Sequence, residues 1–66
     1  MDALEALRNL RKPGDAYGVA KLSGMMSPME AGRALVNLAE RGLVKVVEPG
    51  GGNCLATTYK VESAQR

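Results

Sequence analysis

The feature that most restricts the fold is a helix with clear start and stop signals that leads directly into a strand. Residues 27–30, with the sequence SPME, combine an N-cap serine, a proline at the first helical position and a glutamate at capping-box spacing. Gly42 ends this pattern, which predicts a helix over about 28–41. The β-branched run that follows predicts a strand over about 43–48.

Two shorter helices are predicted upstream, over about 2–12 and about 16–23. Each follows an aspartate that can serve as the N-cap, Asp2 for the first helix and Asp15 for the second. Leucines recur every three residues in the first helix, and small apolar residues give the second a buried side. A Pro-Gly pair stops the first helix and a Ser-Gly pair ends the second.

A glycine-rich loop over residues 49–53 follows the first strand, and a second strand is predicted over about 55–61. The two strands form a β-hairpin, and residues 63–66 are expected to be a frayed tail. Apolar periodicity in all five elements indicates one interior. We expect it to contain Leu4, Leu7, Leu10, Val19, Ala20, Ala31, Ala34, Leu35, Leu38, Leu43, Val44, Val46, Tyr59 and Val61.

Composition excludes several kinds of chemistry. The 66 residues include no histidine and one cysteine, so a histidine base, a four-ligand Cys/His zinc site and an intrachain disulfide are all impossible. The carboxylates are explained as caps and surface charges, and no pair is placed for acid–base work. The glycines at 50–52 lack the Gly-Lys-Ser/Thr sequence of a phosphate-binding loop. We therefore expect no enzymatic activity, no cofactor and no metal.

The charge balance permits a nucleic-acid partner without requiring one. Nine lysines and arginines stand against seven aspartates and glutamates, a formal net charge of +2. The N-terminus has neither a basic nor an apolar signal region, and no apolar run approaches the roughly 20 residues of a membrane span. We expect a cytoplasmic protein with no membrane contact, and no small-molecule effector is evident.

The order helix, helix, helix, hairpin predicts an α+β fold, a three-helix winged helix-turn-helix with a C-terminal two-stranded wing, as a single domain over 1–66. Residues 33–44, RALVNLAERGLV, resemble the RxLxxLxxxGLV stretch of winged-helix bacterial regulators. Residues 58–61, TYKV, resemble the strand that returns from their wing. Over about 15–61 the chain resembles MarR-like and PadR-like repressors and the small pilus-operon regulators of the PapI type. The resemblance implies a sequence-specific regulator of transcription that binds double-stranded DNA.

In such a protein the third helix enters the major groove, its N-terminal N–H groups face phosphate, and the wing contacts the flanking backbone. Arg33 could donate two hydrogen bonds to guanine, and Asn37 could bond adenine. The lysines would contact phosphates, and the wing tip would approach the backbone or minor groove. The predicted DNA-contacting residues are Lys21, Ser27, Pro28, Met29, Gly32, Arg33, Val36, Asn37, Lys45, Gly51, Asn53 and Lys60.

The alternative is a protein-interaction module on the same fold, an accessory to a larger regulator. Met29 and Gly32 stand where those regulators usually carry Ser or Thr, and the wing tip has no Arg or Lys. Met25, Met26 and Val36 would extend Met29 into an adaptable apolar surface. The dimerisation helices that flank the core of MarR-like and PadR-like proteins are missing, so a second copy of the chain or a larger protein would have to supply further contacts.

Overall fold

The computed structural model describes residues 2–62, which form an α+β arrangement of three helices followed by a two-stranded antiparallel sheet. The elements are α1 (Ala3–Leu10), α2 (Ala16–Ser23), α3 (Pro28–Glu40), β1 (Val44–Glu48), a 3₁₀ turn (Cys54–Ala56) and β2 (Thr58–Val61). Within residues 2–62, no helix has the length and apolar character needed to cross a membrane. Met1 and the tail predicted at 63–66 lie outside the described residues.

Side-chain caps start all three helices, as the sequence predicted. The Asp2 and Asp15 carboxylates each accept a hydrogen bond from the backbone N–H three residues later, at 2.8 and 2.9 Å. Ser27 and Glu30 form a complete capping box: the Glu30 N–H donates to Ser27 Oγ at 3.2 Å, and the Ser27 N–H donates to Glu30 Oε1 at 2.9 Å. These local bonds fix where each helix begins without help from the rest of the fold.

The helix ends depart from prediction at one point. α1 stops at Leu10, before the Pro-Gly pair, because Arg11 takes the left-handed conformation with φ of 59° and donates its N–H to the Arg8 carbonyl. The predicted extension to residue 12 is therefore wrong. Gly24 ends α2 with φ of 73°, and Gly42 follows α3 with φ of 78°, both as expected.

The sheet places the hairpin against the helices. β1 and β2 pair with a bulge between residues 46 and 48, in the register Val44 with Val61, Lys45 with Lys60, Val46 with Tyr59 and Glu48 with Thr58. On the other edge of β2, the Gly14 N–H donates to the Tyr59 carbonyl at 2.9 Å, and the Tyr59 N–H donates to the Gly14 carbonyl at 2.8 Å. This pair of bonds ties the α1–α2 connection to the hairpin.

The second strand starts later than predicted. Residues 54–56 form the 3₁₀ turn, so the expectation that the strand includes Leu55 and Thr57 is wrong. Asn53 caps this turn, because its Oδ1 accepts a hydrogen bond from the Leu55 N–H at 3.0 Å. The Thr57 Oγ1 accepts a bond from the Gly50 N–H at 3.1 Å and closes the loop.

One core forms between the helices and the sheet. Its fully buried large side chains are Leu7, Val19 and Leu35, one from each helix. Val46 is 47% exposed, so its predicted place in the core is wrong, because β1 leaves the helices after its first residue, Val44. Other predicted core residues are half-buried at the margin: Leu4, Leu10, Ala34, Leu43 and Val61.

Candidate functional site

A surface groove of about 620 Å³ separates the exposed side of α3 from the connection between the strands, and is termed the α3 groove below. Its helix wall consists of Met29, Gly32, Arg33, Val36, Asn37 and Glu40. Its opposite wall consists of Gly52, Asn53, Cys54, Leu55, Thr57 and Tyr59. The groove thus brings together the predicted residues of α3 with Asn53 from the wing tip.

The amphipathic pattern of α3 determines which side chains face the α3 groove. Ala31, Leu35 and Leu38 are buried, and at about 100° per residue the opposite arc carries the residues of the helix wall. Val36 is 48% exposed and Met29 is 60% exposed, while Arg33 and Asn37 lie one turn apart on the same side. This side of α3 therefore presents hydrogen-bonding and apolar groups together.

Gly32 explains how the 3₁₀ turn between β1 and β2 comes so close to α3. A Cβ built at this position would lie 2.7 Å from Cδ2 of Leu55, closer than real carbon contacts. A side chain at position 32 would force the Leu55 side chain to shift, so Gly32 supports the close packing of the 3₁₀ turn as well as lining the groove. A glycine within a helix costs about 1 kcal/mol relative to alanine, and its presence there is the sequence signal of a close approach.

The connection between β1 and β2 is tied to α2. The Asn53 Nδ2 donates a hydrogen bond to the Tyr17 hydroxyl at 3.1 Å, while its Oδ1 caps the 3₁₀ turn. Both polar ends of the Asn53 side chain are therefore used within the protein. Tyr17 was not predicted from the sequence as part of the site. It is an aromatic residue of α2 whose side chain is 45% exposed in the structure. Gly51 is exposed at the tip, with φ of 65°, and does not line the groove.

The N-terminus of α3 offers less to a phosphate than the sequence suggested. Pro28 has no N–H, and the capping box uses the Glu30 N–H and the Ser27 hydroxyl oxygen. This leaves at most the Met29 N–H in the first three helical positions. The negative charge of the Glu30 carboxylate lies in the same turn and offsets the positive end of the helix dipole, which weakens the attraction for a phosphate.

The predicted phosphate-contacting lysines lie outside the α3 groove. Lys45 and Lys60 are cross-strand partners, so their side chains leave the same face of the sheet. Tyr59, next to Lys60 in β2, leaves the opposite face and lines the α3 groove. Lys21 is exposed on α2. Arg33 and Glu40 are therefore the charged residues that line the groove itself.

A second groove, of about 340 Å³, lies between the end of α1 and β2, and is termed the basic cleft below. Its lining residues are Leu7, Arg8, Arg11, Lys12, Pro13, Lys60 and Val61. Among the residues 2–62 that line it, none is acidic. Sequence reasoning identified Lys60 alone, although basic residues at positions 8, 11 and 12 have the i, i+3, i+4 spacing of one helix side.

Tyr59 is the buried polar side chain of the α3 groove, only 6% exposed. Burial raises the pKa of its hydroxyl, and the nearby Cys54 thiol adds to the increase. The hydroxyl therefore stays protonated well above neutral pH. Cys54 itself is a free, exposed thiol on the same wall.

Comparison with protein-family models, with curated proteins and with solved structures finds no match for this chain. Function has to be inferred from the two grooves themselves. The α3 groove is mixed in character and nearly balanced in charge, whereas the basic cleft is lined by charge of one sign.

Proposed function

We propose that this chain is a winged helix-turn-helix protein that binds double-stranded DNA with sequence preference and regulates transcription. α3 enters the major groove, and the connection between β1 and β2 lies along the flanking backbone. The observation that carries the proposal is the exposed side of α3, where Arg33 and Asn37 lie one turn apart beside Val36. Such a regulator acts where DNA is present, in agreement with the expected cytoplasmic location.

The winged-helix interpretation draws support from the arrangement around α3. A short connection joins α2 to α3, and three residues separate the end of α3 from the start of the hairpin. The bonds between Gly14 and Tyr59 hold the hairpin to the α1–α2 connection. The packing of Leu55 against Gly32 holds the wing beside α3. The hairpin thereby becomes a rigid flank for the exposed side of the helix.

The side chains on α3 suit the edges of base pairs. Its 13 residues extend about 20 Å, and an α-helix fits the major groove of B-DNA. Arg33 can donate two hydrogen bonds to guanine O6 and N7, and Asn37 can both donate to and accept from adenine. Val36 and Met29 provide apolar contacts for a thymine methyl group. These three kinds of contact are sufficient for a sequence preference.

The α3 groove supplies little phosphate attraction, since Glu40 offsets Arg33 among its lining residues. Affinity for duplex DNA increases with the number of phosphates neutralised. A second copy of the chain on an adjacent half-site, or a larger protein partner, would add contacts that one copy lacks. We favour the second copy, and the mass of the protein measured over a range of concentrations tests this choice.

Selection from a random duplex library, followed by affinity measurement, tests the proposed function. Arg33→Ala is expected to weaken binding to the selected site by about 1–3 kcal/mol and to relax preference at one base position. Arg41→Ala is the control, because it removes the same charge from the exposed C-cap of α3, outside the α3 groove. Selection of no preferred sequence, or an unchanged preference in Arg33→Ala, would contradict the proposal.

A second candidate is the protein-interaction module. It is favoured by the exposed apolar side chains Met25, Met29 and Val36, at 82%, 60% and 48% exposure. A helix of a partner protein could pack on that surface through its own apolar face. Titration with a mixed-sequence duplex at low salt separates the candidates. Salt-sensitive NMR shifts at the amides of residues 29–37 favour DNA, and the absence of shifts favours a protein partner.

A further inference from the structure

The basic residues of this protein concentrate in the basic cleft and on the neighbouring strand β1. The side chains of Arg8, Arg11, Lys12 and Lys60 line the basic cleft. Lys45 lies directly across the sheet from Lys60. These residues make up more than half of the nine lysines and arginines of the whole chain. A net charge of only +2 therefore conceals a strongly one-sided distribution.

The fold assembles the basic cleft from two parts of the chain that are distant in sequence. Arg8 lies in the last turn of α1 and Arg11 is its C-cap. Because Gly14 pairs antiparallel with Tyr59, the residues before Gly14 run alongside those after Tyr59. Lys12 and Lys60 are thereby brought to the same cleft. The arrangement depends on the same backbone bonds that fix the hairpin.

These like charges are unfavourable in the free protein. Lysines directly opposite each other in a sheet repel, and four cations line one cleft of about 340 Å³. The carboxylates nearest to these cations in sequence belong to Glu5, Asp15 and Glu62. None of the three lines the cleft. An extended polyanion would relieve this repulsion along its whole length.

The surroundings of the cleft favour a nucleic-acid backbone over a lipid surface. Membrane-binding basic surfaces combine their cations with apolar side chains that enter the headgroup region. The exposed apolar residue of this cleft is Pro13, which has only a small ring, since Leu7 is buried and Val61 is half-buried. The strongly exposed Met25 and Met29 belong to other parts of the molecule, the α2–α3 connection and the α3 groove.

We infer that the basic cleft is a second nucleic-acid site, which binds the phosphate backbone of duplex DNA without sequence preference. The inference rests on the proposed function, because DNA is the ligand in both. It assigns the attraction for phosphates to the basic cleft, because the α3 groove supplies little of it. The cleft and the α3 groove have no lining residue in common, so they are separate surfaces.

The test measures binding of the full chain to a short duplex of random sequence by fluorescence anisotropy at a series of salt concentrations. Arg8→Gln is expected to make the slope of log affinity against log salt shallower by about 0.9, the value for one phosphate contact. The triple variant Arg8→Gln, Lys12→Gln, Lys60→Gln should lose about two to three such contacts. Arg41→Gln is the matched control, since it removes one arginine charge near a helix end outside the cleft.

An unchanged slope in the triple variant would overturn the inference, and so would an equal loss in Arg8→Gln and Arg41→Gln. Binding to vesicles of phosphatidylcholine and phosphatidylserine that exceeds duplex binding, and that the triple variant abolishes, would overturn it in favour of lipid. Arg8, Lys12 and Lys60 are exposed, so the variants are expected to fold, and circular dichroism of each variant checks this. If the triple variant does not fold, the salt slope of Arg8→Gln, compared with that of Arg41→Gln, provides the test.

Failure of the inference is distinguishable from failure of the proposed function. Shallower salt slopes in the cleft variants, together with no base preference and no effect of Arg33→Ala, would support the basic cleft and reject base reading by α3. A selected sequence that depends on Arg33, with unchanged slopes in the cleft variants, would reject the basic cleft alone.

Discussion

The α3 groove and the basic cleft share no lining residue and differ in how they are built. The α3 groove combines one cation, one anion, amide groups and apolar side chains, and its wing wall is held by Asn53 and Leu55. The basic cleft has an apolar floor and charges of a single sign. Varied groups can discriminate between base pairs, whereas uniform charge attracts any backbone. The comparison suggests that specificity and phosphate attraction occupy different surfaces of this small protein.

The largest effect is expected from filling the space above Gly32. Gly32→Val should lower the free energy of unfolding by about 1–3 kcal/mol, because the new side chain overlaps the Leu55 side chain and forces it to repack. The same change should disturb the α3 groove and leave the basic cleft intact. Urea denaturation measures the stability, and NMR shifts of Leu55 and Lys60 report on the two surfaces separately.

Gly18→Val is the control for this change, because Gly18 is also helical and a Cβ there meets only the Asp15 carboxylate oxygen, at 3.5 Å. It should have a much smaller effect on stability. An equal loss of stability in both variants would show that valine in a helix, and not the contact with the wing, is responsible.

A second prediction separates stability from binding at the basic cleft. Arg11 has φ of 59°, a conformation that costs a residue with a side chain about 1 kcal/mol and costs glycine far less. Arg11→Gly should therefore raise the free energy of unfolding by up to about 1 kcal/mol while it makes the salt slope of DNA binding shallower by about 0.9. Thermal unfolding and the anisotropy series measure the two effects. A more stable variant with undiminished binding would exclude Arg11 from the cleft's function.

The smallest predicted effect concerns pH and the α3 groove. The pKa of the Tyr59 hydroxyl is raised by burial in the folded state above its value of 10.0 in the unfolded chain. Ionisation of the hydroxyl is therefore less favourable in the folded state than in the unfolded state. The free energy of unfolding is unaffected by this group below pH 10 and decreases as the pH rises through the folded-state pKa. Tyr59→Phe should remove this part of the alkaline loss. Denaturation curves at successive alkaline pH values, compared between the two proteins, check the sign.

The helices were largely predictable because their signals are local. Asp15 and Gly24 bound α2 where the sequence placed it, and the capping box of Ser27 and Glu30 starts α3 as expected. The early end of α1 was missed because nothing in the sequence indicates a left-handed arginine at position 11. The 3₁₀ turn was missed because a period-two pattern of apolar residues does not distinguish a strand from a tight turn that buries the same side chains.

The candidate sites divide in the same way. The residues on the exposed side of α3 follow from helical periodicity, so Arg33 and Asn37 were identified from sequence. The wing wall and the basic cleft were not, because they depend on contacts between distant residues. Asn53 reaches Tyr17 across the fold, and Lys60 joins Lys12 only because Gly14 pairs with Tyr59.

The sequence by itself determined three capped helices, a hairpin and the arc of α3 that faces outward, because caps, glycine stops and apolar spacing act within a few residues. The tertiary structure decided that the 3₁₀ turn rests on Gly32 and that the cations of α1 meet those of the sheet. The physical reason is that pairing of distant backbone segments and the close approach allowed by a missing Cβ have no local signature. These tertiary contacts give the α3 groove its mixed lining and bring the cations of the basic cleft together.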